Sequence, residues 1–199
     1  NKNNKIIKQT MREIVIDTET TGLHYNKGDR IIELACVELI NHVATGNNIQ
    51  FYCSTEKKID EEAQKIHGLS NNFLDKFPSF DEQVHKFLSF IKEDTLIIHN
   101  SEFDMGFINN ELSLTGLSII RNKVIDTVLL ARKTLNTRVA NLDYLCKRFS
   151  IDLSARKFHG ALLDCQLLSE VYLELLGGRQ ASLRLIKTKK DTNELKQKN

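Results

Sequence analysis

The sequence has no apolar run long enough to cross a bilayer, and its N-terminal residues lack the charged-then-apolar layout of a secretory signal. A membrane-spanning or exported protein is therefore not expected, and the cytoplasm is the expected compartment. There is no C-x-x-C pair: Cys36, Cys53, Cys146 and Cys165 stand far apart in apolar or mixed segments and read as reduced, mostly buried thiols of an intracellular protein. Proline is nearly missing, with Pro78 alone, and the surplus of charge is only +2 over 199 residues.

That small surplus conceals a segregation. Residues 1–10 carry three lysines and no acid, residues 179–199 carry seven basic and two acidic residues, and the 168 between carry 18 basic against 24 acidic, a balance of −6. A net-acidic body argues against holding nucleic acid by bulk electrostatics alone, which needs a basic surface, but it permits holding phosphate through bound metal. With 41% hydrophobic residues the chain is long enough for one well-buried core and short for two. One domain over residues 11–178 is expected, after a disordered polar extension at 1–10 and before a flexible basic tail at 179–199.

Ile14-Val15-Ile16 predicts a strand buried on both faces, ended by the polar run Asp17-Thr18-Glu19-Thr20-Thr21 and Gly22. If the extended geometry persists past Ile16, Asp17 and Glu19 project from one face and Thr18 points away. Two carboxylates in one small volume suppress each other's ionisation unless a cation lies between them, and a divalent ion with oxygen ligands meets that need. A turn with incidental acids is the competing reading, since Asp and Thr favour strand ends for local hydrogen bonds. Further carboxylates must decide.

Arg30 to Ile40 predicts a long second strand. Turn residues from Asn41 to Asn48 around Gly46 lead to a third strand, Ile49 to Cys53, and the three make an antiparallel meander. Asp60 to Ile66 reads as a short helix ending at His67-Gly68, with His67 as a C-terminal cap. Ser79, after Pro78, caps a helix to about Lys92 with Phe80, Val84, Phe87, Leu88 and Ile91 as its apolar stripe.

Thr95 to Ile98 is a buried strand running into His99-Asn100-Ser101-Glu102-Phe103-Asp104, which puts Asp104 in the first turn of the next helix. Open α/β sheets bind ligands at such junctions, although for a lone aspartate complementing the helix dipole is reason enough. Val124 to Thr127 is a last short strand, with Asp126 the N-cap of a helix to about Lys133. From Arg132 to Lys157 seven basic residues stand against Asp143 and Asp152, either a solvated helix face or a patch that steers phosphate.

His159-Gly160-Ala161-Leu162-Leu163-Asp164 opens the last long helix, which ends at Gly177-Gly178. On a continuous helix His159 and Asp164 would stand about 140° apart. Gly160 is expected to let His159 bend off the helix so that imidazole and carboxylate face one site. Asp17, Glu19, Asp104 and Asp164 together carry the charge to hold two divalent cations, and a histidine suits proton removal from water at neutral pH. That combination describes phosphodiester hydrolysis.

At these residues the chain resembles the DEDDh 3′→5′ exonucleases of the ribonuclease-H-like superfamily. Their three motifs appear in order as Asp17-Thr18-Glu19, His99 to Asp104, and His159 to Asp164. Within that family the likeness is to the proofreading epsilon subunits of bacterial DNA polymerase III, over about residues 11–178. The resemblance implies an α/β fold, a five-stranded mixed sheet with helices on both faces. It implies that Asp17, Glu19, Asp104 and Asp164 bind two Mg²⁺ or Mn²⁺ ions and that His159 is the general base. It also implies that Glu62 and His67 touch the 3′-terminal nucleotide, beside Phe103 and the stretch Thr18, Thr20 and Leu23, which replaces the capping role for His67.

The implied partners are the 3′ end of single-stranded DNA, the catalytic subunit of DNA polymerase III, the sliding clamp and a small accessory subunit. Gln180-Ala181-Ser182-Leu183-Arg184-Leu185 resembles the short peptide by which replication proteins engage the clamp, with Gln180 leading and Leu183 and Leu185 spaced to enter an apolar pocket. An amphipathic piece of tail is the plainer account of it. Two rivals stand beside the DNA reading: a DEDDh enzyme that trims RNA, and a non-catalytic tether between clamp and polymerase.

Overall fold

The computed structural model describes residues 10–177. Strand β1 (Arg12–Thr20) is central, and Ile14, Val15 and Ile16 are fully buried because neighbours cover it on both faces. β2 (Ile31–Ile40) pairs antiparallel with β1, and β3 (Val43–Tyr52) antiparallel with β2. On the other side β4 (Thr95–Ile98) lies parallel to β1 and β5 (Val124–Asp126) parallel to β4. The result is a five-stranded mixed sheet in the order β3-β2-β1-β4-β5.

The meander is as expected, but its third strand begins earlier. Asn41 and His42, at φ 51° and 70°, make a tight two-residue turn, so the stretch around Gly46 is strand and not loop. Gly46 has φ 90°, and the pairing register slips between Val37 and Leu39, opposite the Gly46 stretch. β3 is a sheet edge exposed along its first six residues, which is why its composition imitates a loop.

Seven helices complete the described residues: α1 (Glu61–His67), α2 (Asn71–Leu74), α3 (Phe80–Ile91), α4 (Ser101–Leu114), α5 (Thr127–Leu135), α6 (Leu142–Arg148) and α7 (Ala161–Leu175). Helix α3 starts after Ser79, whose N–H is taken by Glu82 Oε2 at 2.9 Å. The alternation of β1 sorts the core. Ile14 and Ile16 meet Phe80, Phe87 and Phe107 of α3 and α4, while Val15 meets Leu145, Leu168 and Val171 of α6 and α7. Helices thus cover both faces, as the resemblance implied. All four cysteines are free and buried, and no described helix is long and apolar enough to cross a membrane.

Gly22 joins β1 to the loop that carries Leu23 and His24. A Cβ there would fall 2.4 Å from Asp60 Oδ2 and 2.5 Å from Asp29 Oδ2. Asp29 cannot retreat, because it accepts from Thr21 Oγ1 at 3.1 Å and His24 N at 3.0 Å and has Lys57 Nζ at 3.4 Å. Gly22→Ala is expected to destabilise the fold by about 1–3 kcal/mol, as overpacking does. Urea unfolding measures it, and an unchanged midpoint would show that the two carboxylates yield freely.

Candidate active site

The site forms where β1 outruns its neighbour. β4 stops at Ile98, opposite Ile16, while β1 continues to Thr20, so from Asp17 onward one flank of the strand is open. Alternation turns Asp17 and Glu19 towards the α7 layer and Thr18 towards the α4 layer. Thr18 Oγ1 donates to Asp104 Oδ1 at 2.7 Å, which draws the carboxylate of α4 to the notch from the opposite layer. Asp164 reaches it from the first turn of α7. Asp17, Thr18, Glu19, Thr20, Leu23, Glu62, His67, Phe103, Asp104, His159 and Asp164 all line one cavity of about 670 Å³. Gln180, Leu183 and Leu185 lie outside the described residues.

Crowding sets the electrostatics. Burial first, then Asp104, Glu19, Asp164 and Glu33, push the Asp17 carboxyl well above the usual carboxylate range. Glu19 is pushed up to about 8 by burial and then by Glu33, Asp164 and Asp104. Asp104 rises to about 7 through burial, against the pull of the Thr18 hydrogen bond. Buried carboxylates that resist ionisation without a cation beside them are a donor set suited to divalent ions, so the residues present fit such an ion. His159 is exposed, with Nδ1 3.8 Å from Asp164 Oδ2, and burial of part of its ring and then Arg156 hold it below its ordinary value. Ligand atoms of Glu19, His159 and Asp164 lie within 4.8 Å of one another.

The structure corrects the reason given for the placement of His159. Gly160 has φ −148° and ψ 130°, extended backbone open to any residue, and a Cβ there would meet nothing within 4 Å. His159 stands off the helix because α7 begins at Ala161, and its own N–H is held by Ile66 O at 3.0 Å. The loop is fixed by that bond and by Arg156.

Arg156 was legible only as one member of a basic run. It is nearly buried, donating from Nε and Nη2 to Asp164 Oδ1 and Oδ2 at 2.7 and 2.6 Å and from Nη1 to Asp143 Oδ1 at 2.6 Å. This fork orients Asp164 and ties the His159 loop to α6 and α7. The remaining members of the run, Arg132, Lys133, Arg138, Lys147, Arg148 and Lys157, are exposed. Glu33, buried on β2 opposite Glu19, was also missed. It accepts from Gln50 Nε2 at 2.7 Å and from the Ala161 N–H, so it seats the start of α7. An acid inside the apolar run Ile31-Ile32-Glu33-Leu34-Ala35 was the available signal.

His67 is the last residue of α1, with Gly68 after it at φ 72°. Its Nδ1 accepts from Leu69 N at 3.0 Å, so Nε2 carries the proton and donates to Thr20 O at 3.2 Å. Both ring nitrogens are committed to backbone, which leaves the ring face and edge for a ligand. Phe103 packs on Phe107 with centroids 4.9 Å apart, while Glu62 pairs with Lys65 at 2.6 Å and is largely exposed at the rim, as is Leu23. Asp126 caps α5 as expected, accepting from Val128 N, and also takes Ser101 N at 2.8 Å.

Two measurements check this account. In the metal-free protein Glu19 and Asp104 keep protons that the unfolded chain releases near pH 4. The stability those protons carry is complete below that value and is lost as pH rises through about 7 and about 8. Thermal unfolding in chelator should therefore fall from about pH 5 to pH 8.5, and Mn²⁺ or Mg²⁺ should flatten the fall; a profile that metal leaves untouched counts against the cluster. Gly160→Ala should alter stability by less than about 1 kcal/mol, since a poorer cap and a stiffer unfolded chain oppose each other. A large loss would restore the hinge role.

Comparison with known proteins identifies the family and the fold. The RNase_T exonuclease family model matches residues 14–172. DNA polymerase III subunit epsilon of Rickettsia felis is 45% identical over 190 residues, covering 94% of this chain and 83% of the relative. The same subunit of Escherichia coli K12 is 43% identical over 177 residues, covering 84% and 72%. Among solved structures, the nuclease domain of 3′hExo, a DEDDh family member bound to rAMP, superposes with a TM-score of 0.74 at 18% identity over 85% of this chain and 94% of that one. Exonuclease X in complex with 5′ overhanging duplex DNA gives 0.66 at 21% identity over 83% and 91%. The chain belongs to the exonuclease family, in the branch of the DNA polymerase III epsilon subunits.

Proposed function

We propose that this exonuclease removes nucleotides from the 3′ end of single-stranded DNA as the proofreading subunit of a bacterial replicative polymerase. The single observation that carries the chemistry is the meeting of Asp17, Glu19, Asp104 and Asp164 in one cavity with His159 at its edge. The four carboxylates would hold two divalent cations, Mg²⁺ or Mn²⁺. Bound there, such ions lower the pKa of an attacking water and stabilise the leaving oxygen of a phosphodiester.

The chain's own residues supply the rest. His159, exposed and held below its ordinary pKa, is neutral at pH 7 and free to accept the proton of the attacking water. Arg156 fixes the Asp164 carboxylate and the loop bearing His159. Phe103 and the committed ring of His67 offer flat apolar surfaces beside the carboxylates, and Leu23 and Glu62 stand at the rim where a terminal nucleotide would enter. The epsilon relatives favour DNA over RNA and a polymerase as partner. The peptide Gln180 to Leu185 favours the clamp, and the same assembly would accommodate a small accessory subunit.

Single-stranded DNA and RNA oligonucleotides, incubated with Mn²⁺ or with chelator and resolved nucleotide by nucleotide, test the reading. Metal-dependent shortening of DNA from the 3′ end is expected. Faster loss from RNA would favour the trimming enzyme, and no loss from either polymer would leave only the tether. Asp17→Ala and Asp164→Asn should abolish shortening while the fold persists. His159→Ala should slow it by roughly 10²–10⁴-fold, and an undiminished rate would remove His159 as the base.

A further inference from the structure

Phe158, next to the proposed base, is an aromatic side chain with no part in the chemistry described above. It is 57% exposed, and it does not line the cavity, whereas Phe103 and His67 do. Its ring rests on the turn that ends α1: a Cβ on Gly68 would fall 3.3 Å from Phe158 Cγ and Cδ1 and 3.4 Å from Cδ2. The hydrogen bond from His159 N to Ile66 O, 3.0 Å long, ends on the same turn.

We propose that Phe158, seated on Gly68, is a positioning residue that holds the His159 loop against α1 and so keeps the imidazole beside the carboxylates. The inference rests on the reading of His159 as the general base.

The seat follows from how α1 ends. The last carbonyls of a helix have no partner inside it, which leaves Ile66 O to accept from the loop. Gly68 closes the helix at φ 72°, a conformation that favours glycine, and its missing side chain leaves room for a ring directly against the backbone. The turn itself is tied down, because His67 Nε2 donates to Thr20 O at 3.2 Å at the end of β1. The loop therefore docks on a part of the molecule continuous with the strand that bears Asp17 and Glu19.

The loop has little else to hold it. From Ser154 to His159 only Arg156 is withdrawn from solvent. Its fork on Asp164 and Asp143 anchors the chain there but leaves Lys157 and Phe158 between that anchor and the imidazole. The bond from His159 N to Ile66 O is a single backbone hydrogen bond between exposed residues, where water competes for both partners. A ring packed beside it adds apolar contact and shields it from that competition. Misplacing a reacting group by about 1 Å costs on the order of 10²-fold in rate, so a looser loop should be felt in turnover and not in the binding of DNA.

Steady-state hydrolysis of a single-stranded DNA oligonucleotide in Mn²⁺ by full-chain wild type, Phe158→Ala, Phe158→Leu, His159→Gln and the Phe158→Ala/His159→Gln double variant tests the assignment. Phe158→Ala should lower kcat about tenfold or more and leave KM within about twofold, while Phe158→Leu, which still fills the seat, should keep most of the rate. In the His159→Gln background the loss from Phe158→Ala should largely vanish, since the group it positions is gone. Amide exchange of the metal-free protein should show the His159 N–H exchanging about tenfold faster in Phe158→Ala, with the urea midpoint close to that of wild type. An unchanged kcat in Phe158→Ala would overturn the inference. So would a rise in KM alone, which would mark the ring as a surface for DNA, or an equal loss in the His159→Gln background, which would mark a general effect on the fold. A His159→Gln variant as fast as wild type would remove the base reading, and the role of Phe158 with it.

Discussion

Burial of several carboxylates together at one strand end is the constraint on which the structure turns. Asp17 and Glu19 project from the same side of β1, Asp164 enters from α7 and Asp104 from α4, and Glu33 lies directly across the ladder. Water would separate such charges cheaply; a notch in a protein interior does not. Burial and the neighbouring charges raise the pKa of several of these acids, and one nearly buried arginine is committed to the set.

Much of the surrounding structure can be understood as support for that crowd. Arg156 bridges Asp164 and Asp143, which joins the histidine loop to two helices. Thr18 reaches to the opposite layer for Asp104. Glu33 receives the first N–H of α7 and so sets the depth at which Asp164 arrives. His67 closes α1 and binds the Thr20 carbonyl, so the wall of the cavity and the end of β1 are one hydrogen-bonded unit. None of these residues would ligate a cation in the proposed scheme, and each fixes one that would or the backbone beside it.

The elements were largely legible in the sequence because each rests on local chemistry. Apolar runs marked β1, β2 and β4; Ser79 and Asp126 announced their helices; Gly68 ended α1. β3 misled because an exposed edge strand and a loop select the same polar residues, and only pairing with β2 distinguishes them. Motif spacing nominated the four carboxylates and His159, since strand ends and helix starts are written in a few consecutive residues. The sequence by itself determined which side chains were available and on which elements they stood. Tertiary structure alone decided that β1 would outrun β4, that acids from opposite layers would meet in the gap, and that Arg156 and not Gly160 would govern the histidine loop. Those outcomes depend on contacts between residues far apart in the chain, and no local pattern encodes how such distances close.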